Sequence, residues 1–483
     1  MTGSSRPVHP LLLPVVLTAT FMQLLDVTIV QVGISSLQRD LHTTADTVQL
    51  VLAGYTLTYA CLLIVAARMG DRYGYRRLFL VGIATFTVAS LACSLAPTVE
   101  VLIAARLLQG ASSGVMAPQV LSLIQVAVPA RRRSHALGLL GATMGIASLT
   151  GPLLGGVLLN ADLFGLGWRL IFLVNLPVGL LALLGSHALP TDRAAGRPRL
   201  DGAGATLAAA GLGLLIFPLT LGRDMNWPMW TWLCFVGAAA ALVLFVRTQR
   251  RSSEPLLHPA VFRDRATVAG LLLVFVFNAG VPSFTYLLLL YLQAGLGYSP
   301  VTAALTSMPF AAAAIIGSRV SARLARRYGT PLLTVAVAIL ALVMVCLAPV
   351  IGAAGYRWAT LPLLAIGGAS FGVFTASVFS LVLAGIASEA TGSVSGLLPT
   401  AQQLGGTIGV TLAGLVYFAA ANYATAFGDA MLYEAGIFVL TAGISYWFSR
   451  HRRRAAARSN SPAPSSRRRT YPTERASTGH CAE

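Results

Sequence analysis

The sequence predicts an all-α polytopic membrane protein: two pseudo-symmetric bundles of six helices, with two further helices inserted between them. Three observations carry this fold class. Fourteen apolar stretches are long enough to cross a bilayer. Arginines are divided very unequally between alternate connections. Short motifs of the first part recur in the second at a nearly constant offset.

The apolar stretches cover about 11–33, 47–67, 78–96, 99–125, 134–159, 168–189, 203–222, 229–246, 267–292, 301–318, 331–350, 358–386, 394–419 and 430–449. Of the 483 residues, 56% are hydrophobic and only 10% charged, against roughly 25% charged in a soluble domain. A mean hydropathy of +0.75 and 47 glycines agree, because glycine is commoner in membrane helices than in soluble ones. The first stretch follows Arg6 and is long enough to span, so it reads as an uncleaved helix rather than a removable signal.

An even number of spans places both termini on one side. With the N-terminus cytoplasmic, the cytoplasmic loops and termini hold 29 arginines and the opposite loops four; without the tail the ratio is still 20 to four. The net charge of +18 therefore marks topology and not a nucleic-acid surface. All 34 basic residues are arginine, a charge that cannot be titrated away.

The repeat fixes the organisation. Asp71-Arg72-Tyr73-Gly74 returns as Arg326-Arg327-Tyr328-Gly329 at an offset of 255; Gly110-Ala111-Ser112-Ser113-Gly114-Val115 returns as Gly368-Ala369-Ser370-Phe371-Gly372-Val373 at 258; Gly138-Leu139-Leu140 returns as Gly396-Leu397-Leu398, again at 258. The expected division is a cytoplasmic N-terminus at 1–10, a first bundle at 11–190, the inserted pair with its flanking loops at 191–265, a second bundle at 266–449, and a basic tail at 450–483. Rich in Arg, Ser and Pro, the tail is expected to be disordered and to mark topology, or to attract anionic lipid.

Few residues carry chemistry. Asp26 lies in the apolar run Leu24–Val30, where a carboxylate is costly and is a functional candidate by default. Arg106 sits deep in the fourth stretch and must find a carboxylate, carbonyl oxygens or water; Asp26 is its expected partner. The fifth stretch carries Gly138, Gly141, Gly145, Gly151-Pro152 and Gly155-Gly156, which suit close helix approach and a bend. The connection after the second stretch holds Arg68, Asp71, Arg72, Gly74, Arg76 and Arg77, a candidate switchable salt-bridge set. In the second half the only acid within the spans is Glu434, expected near the outer end of the last helix; cavity polarity there is expected from neutral groups such as Asn278, Ser283, Tyr286, Ser307, Thr375, Gln402 and Gln403. The five cysteines and seven histidines show no metal or disulfide spacing, so no metal is expected. There is no lysine and no phosphate-binding Gly-rich loop, so the expected energy source is the proton gradient and not a nucleotide.

On these residues the chain resembles the major facilitator superfamily, and within it the fourteen-helix drug:proton antiporters. Ala67-Arg68-Met69-Gly70-Asp71-Arg72-Tyr73-Gly74-Tyr75-Arg76-Arg77 is similar to the loop motif G-x-x-x-D-R-x-G-R-[RK], with Ala67 and Tyr75 as departures. Arg106-Leu107-Leu108-Gln109-Gly110 is similar to R-x-x-Q-G. Gly138, Ala147, Gly151, Pro152, Gly155 and Gly156 resemble the fifth-helix antiporter motif, with Ala147 in place of a glycine. Leu25–Val32 resembles the first-helix signature, with Gln31 where Asn is usual, and Gly167–Gly179 the start of the sixth helix. The resemblance implies a major-facilitator fold in a bacterial cytoplasmic membrane, monomeric, without cofactor. It implies proton coupling at Asp26 and Arg106, a gating loop at Asp71, Arg72, Gly74, Arg76 and Arg77, a hinge at the fifth-helix motif, and a substrate cavity to which Asp26, Gln109, Asn278, Tyr286, Gln402 and Gln403 contribute.

The expected function is proton-coupled efflux of drug-like amphipathic compounds by alternating access. The alternatives are a dedicated exporter of one endogenous metabolite, or an importer of the same superfamily. A membrane enzyme or sensor is a different class; an enzyme needs clustered catalytic groups, such as paired carboxylates with histidine, and the sequence has no such pattern.

Overall fold

A computed structural model of the chain describes residues 9–161, 163–190, 201–222, 225–252, 255–257, 261, 265–352, 360–383 and 391–459. Each predicted stretch is helical over most of its described residues. The long helices are α1 Leu12–Val32, α2 Ala45–Tyr73, α3 Tyr75–Ser94, α4 Val99–Ala127, α5 Ala130–Ala161, α6 Asn175–Leu184, α7 Gly202–Leu221, α8 Met229–Arg251, α9 Arg265–Leu290, α10 Pro300–Tyr328, α11 Pro331–Gly352, α12 Thr360–Leu383, α13 Thr391–Ala419 and α14 Tyr423–Ser459. In a hydrocarbon solvent a chain must satisfy its backbone internally, and the helix does so within one segment. Local signals set the ends: Thr44 and Ser299 accept hydrogen bonds from the N–H groups of Thr47 and Thr302 at the starts of α2 and α10, and Asp201 caps α7 through Gly204. Gly74, at φ 94°, turns the chain directly from α2 into α3, a conformation that favours glycine.

Thirteen helical runs among the described residues are long and apolar enough to cross a membrane. The 29-residue α13 falls outside that set. Its Gln402, Gln403, Thr407 and Thr411 face an internal cavity, so polarity useful inside the protein lowers its hydropathy. Large apolar side chains such as Leu181, Leu184, Leu233, Val236, Leu342 and Val439 are exposed on the outside, as a lipid-facing surface requires.

The pseudo-symmetry predicted from short motifs is visible in packing. In the first half α2 packs on α4, α3 on α4, α1 on α5, α3 on α6, and α1 on both α6 and α4; in the second, α10 packs on α12, α11 on α12, α9 on α13, α11 on α14, and α9 on both α14 and α12. Each contact has its counterpart. Between the halves, α5 lies against α10 and α12, while α13 lies against α2 and α4. The repeated glycines sit at these contacts. A Cβ on Gly110 would overlap the Tyr55 carbonyl oxygen, and one on Gly368 the Phe310 carbonyl oxygen. The two offsets, 255 in α2/α10 and 258 in α4/α12, belong to one backbone-to-backbone contact made twice. The inserted α7 and α8 pack on each other, and α7 also touches α2 and α13.

Three details differ from the sequence reading. The sixth span is interrupted, with short helical turns at Gly167–Arg169 and Leu170–Leu173 before α6 and at Gly185–Ala188 after it. Helix α14 begins at Tyr423 and not at 430, so Glu434 lies eleven residues inside it. That is about 16 Å from the helix start at 1.5 Å per residue, inside the helix and not at its first turn. Finally, α14 continues through Ser459, so the first part of the segment expected to be disordered is helical. Its Arg- and Ala-rich sequence favours helix, and basic groups suit a helix C-terminus. Residues 460–483 lie outside the described residues.

Candidate functional site

Asp26 and Arg106 meet in the core of the first half. Both are buried, and Arg106 Nη1 lies 2.5 Å from Asp26 Oδ2. The other carboxylate oxygen accepts from Gln109 Nε2 and from Asn175 Nδ2, each at 2.9 Å. Arg106 also donates to Gln109 Oε1 at 2.7 Å and to the Val51 carbonyl at 3.2 Å. Gln109 donates to Ser90 Oγ at 2.7 Å. The guanidinium lies 4.4 Å from the centre of the Tyr55 ring and 5.9 Å from that of Phe172. Five helices, α1, α2, α3, α4 and α6, thus deliver one polar network into an apolar bundle. A buried ion pair survives only when its remaining donors and acceptors are satisfied, and this network supplies most of them.

Beside this network, between the two halves, is a cavity of about 640 Å³. Its walls come from α1, α2, α4, α5, α7, α9, α10, α12 and α13. Phe277, Phe284, Phe310, Phe371 and many aliphatic side chains make it largely apolar, and Gln23, Gln31, Asn278, Tyr286, Gln402 and Gln403 are its larger polar groups. Among the described residues, no Asp, Glu, Arg or His lines it. Tyr55 belongs to both regions: it lines the cavity, its ring faces Arg106, and its hydroxyl is 2.7 Å from Ser113 Oγ.

At the α2–α3 turn, Asp71 is held by Arg68 Nη1 at 3.2 Å and by the Tyr75 hydroxyl, which donates at 2.7 Å. Tyr75, a departure from the family motif, thus binds the acid itself. Arg68 also donates to the carbonyls of Pro255 and Leu256 in the connection after α8, and Ser393 at the start of α13 donates to Leu256. Close by, Gly396 of α13 packs against Leu63, Ile64 and Ala67 of α2. At this end α13 of the second half lies against α2 of the first.

The family model of the Major Facilitator Superfamily matches residues 16–410. The chain belongs to the major facilitator superfamily. It is 39% identical over 415 residues to a probable actinorhodin transporter of Streptomyces coelicolor, covering 84% of this chain and 72% of that one. It is 32% identical over 412 residues to a tetracenomycin C resistance and export protein of Streptomyces glaucescens, covering 83% and 74%. Among solved structures, a proton:xylose symporter superposes with a TM-score of 0.66 at 14% identity, covering 90% of this chain and 95% of that one, which speaks for the fold alone.

In this major-facilitator chain the structure brings Asp26, Arg106 and Gln109 together, but Asp26 and Gln109 do not line the cavity. Helical spacing explains it. On α1, Thr20, Gln23, Leu24, Val27, Thr28 and Gln31 form the cavity stripe, while Met22, Leu25, Asp26, Ile29 and Val30 form the buried face. Asn278, Tyr286, Gln402 and Gln403 do line the cavity. Of the turn residues, Asp71 is bonded as above, Arg72 lies over the Tyr73 ring at 5.3 Å, the Nε of Arg76 is buried, and Arg77 is exposed.

The fifth-helix motif serves several faces of α5. Ala147, Gly151 and Gly155 are buried, with Gly151 and Gly155 against Thr28 and Ile29 of α1. Gly138 and Gly156 approach Ser318 and Val301 of α10, and Pro152 lines the cavity. Sequence reasoning missed Asn175, Ser90 and Tyr55 in the ion-pair network and Gln23 and Gln31 in the cavity. The glutamines carried a signal: two amides eight residues apart share one helix face. Asn175 and Ser90 act through long-range contact, which no local pattern encodes.

Proposed function

We propose that this transporter exports amphipathic organic compounds, antibiotics among them, from the cytoplasm in exchange for protons. The observation that carries this reading is a largely apolar cavity between two pseudo-symmetric halves, whose wall includes Tyr55, the ring of which also lies against Arg106 of a buried Asp26–Arg106 pair. Such a cavity suits hydrophobic molecules with a few polar groups. Relatives named for actinorhodin transport and for tetracenomycin C resistance and export support the direction and the substrate class.

In the mechanism, the halves rock about the cavity. The α2–α3 turn, with Asp71, Arg72, Gly74, Arg76 and Arg77, acts as the cytoplasmic latch. The close α5–α1 contact, through Gly151 and Gly155, is the surface on which the hinge works. A proton arriving at Asp26 neutralises the acid and frees Arg106, and Tyr55 passes the change to the cavity wall. The arginine distribution supports a cytoplasmic membrane with both termini inside. No cofactor is required.

The test is growth of a pump-deficient host expressing the chain on a panel of toxic aromatic compounds, with transport followed in everted vesicles. Protection should disappear with an uncoupler and in Asp26→Asn. Protection that survives both would overturn proton coupling, and absence of protection across the panel would overturn export. A narrow spectrum, restricted to polyketide-like aromatics, would favour a dedicated metabolite exporter, the reading to which the actinorhodin relative lends weight.

A further inference from the structure

Among the described residues two acids are fully buried, Asp26 and Glu434. They lie in opposite halves and in opposite circumstances. Asp26 accepts from three side chains. Glu434, on α14, has no hydrogen-bond partner at either carboxylate oxygen. Its carboxylate packs against α9 at Gly280, where an added Cβ would lie 3.0 Å from Oε2 and 2.7 Å from the Phe438 ring. The Ser283 hydroxyl, one turn along α9, lies within reach of the carboxyl, and its proton is directed to the carbonyls of Ala279 and Gly280.

The pseudo-symmetry explains the difference. At the offset of 258, Arg106 corresponds to Leu364 and Gln109 to Gly367, so the second half lacks both partners that satisfy Asp26. Asn175 corresponds to Tyr433, the chain neighbour of Glu434. The same helix pairing, α6 on α1 and α14 on α9, recurs in each half, with Glu434 itself at the position of Leu176, one residue past Asn175; among the described residues only the first half supplies a counter-ion.

Among the described residues no cation offsets a negative charge there. The elements packed on α14 are α9, α11, α13 and the turn at 291–295. Their titratable and charged groups are Arg265, Tyr286, Tyr291, Cys346 and Tyr417, and α14 itself carries Tyr423, Asp429, Tyr433, Tyr446 and the basic run from Arg450. The cations stand at helix ends, while Glu434 stands eleven residues inside α14. The Tyr433 and Tyr417 hydroxyls are themselves buried without partners. An ionised carboxylate with no counter-ion, and with only the Ser283 hydroxyl within reach, is far costlier in such a place than a neutral carboxyl.

We propose that Glu434 is a second proton-binding site of this transporter, loaded in the C-terminal half while Asp26 is ionised and paired in the N-terminal half. Its exchange during transport rests on the proton-coupled reading above. One helix separates it from the cavity: Phe277 and Val281 on α9 face the cavity, and Gly280 and Ser283 are not part of that wall. The Phe277 ring lies 5.9 Å from that of Phe438, one turn beyond Glu434. A compound seated on Phe277 therefore bears on the helix pair that covers the acid. When that pair parts, water reaches the carboxyl, its O–H bond breaks, the proton passes to water and the carboxylate remains.

The full chain in lipid nanodiscs provides the test. Infrared spectra at neutral pH should contain a protonated-carboxyl C=O band that is lost in Glu434→Gln and kept in Asp26→Asn. A band unaffected by Glu434→Gln would overturn the proposal, whether or not the chain transports anything. If Glu434→Gln does not accumulate, Glu434→Asp should shift the band, and an unshifted band would overturn it equally. Proton release is then followed with a pH-sensitive dye on adding a compound from the growth panel. Fewer protons per bound compound in Glu434→Gln support exchange, and an unchanged number would make Glu434 a fixed structural proton and overturn its part in the cycle. Should the parent protein release none, the coupled-export reading fails while the infrared result still decides the site.

Discussion

The buried pair in the first half permits a quantitative test. Asp26→Asn keeps the shape of the side chain and removes its charge, leaving Arg106 as an uncompensated buried cation. Breaking one side of a buried pair costs about 3–5 kcal/mol. Arg106 would retain the Gln109 amide oxygen at 2.7 Å, the Val51 carbonyl at 3.2 Å and the Tyr55 ring at 4.4 Å. Three surviving contacts place the loss at the lower end, about 3 kcal/mol, or more than a hundredfold in the folding equilibrium. Arg106→Gln should cost about 1–3 kcal/mol, because Asp26 keeps the Gln109 and Asn175 donors. The double variant removes both charges and should cost less than the sum of the two, with a coupling of about 2 kcal/mol. The assay is reversible unfolding of the four purified proteins in mixed detergent micelles, followed by loss of helix signal. Additivity within about 0.5 kcal/mol would refute the argument that each charge is held in place by the other.

Other expectations follow from packing and charge. Gly368→Ala forces a Cβ onto the Phe310 carbonyl and should destabilise by about 1–3 kcal/mol, as should Gly110→Ala at Tyr55; Gly145→Ala, with nothing within 4 Å of the added atom, should be tolerated, and equal thermal stability for all three would contradict the close-approach account. Tyr55→Phe keeps the ring against Arg106 but loses the Ser113 contact, whereas Tyr55→Ala opens the cavity wall onto the ion pair; efflux should fall modestly in the first and nearly vanish in the second, and matched rates would remove Tyr55 as the link. With no formal charge on the cavity wall, neutral compounds and monovalent lipophilic cations should be exported better than a divalent analogue of similar size. Equal protection against mono- and divalent compounds in paired resistance assays would show that solvent or headgroups screen the second charge.

The amino-acid sequence by itself determined the membrane spans, their order and their duplication. Those properties are local or periodic: about twenty apolar residues make a span whatever lies beside them, and Gly110 and Gly368 repeat because the same backbone contact is built twice. It also marked Asp26 and Arg106, since charge within apolar helices is rare and must be paired. What it did not determine is which way those residues face. Asp26 and Gln109 were expected in the cavity wall, yet the rotation of α1 and α4 turns them into the core and presents Gln23 and Gln31 instead. Asn175 and Ser90 join the pair from other helices, and Glu434 lies buried beside Gly280 with no counter-ion among the described residues. Burial and pairing are properties of several helices at once. A single helix's pattern gives its apolar and polar faces, but only the assembled bundle decides which polar face meets an ion pair, which meets the cavity, and which is left alone.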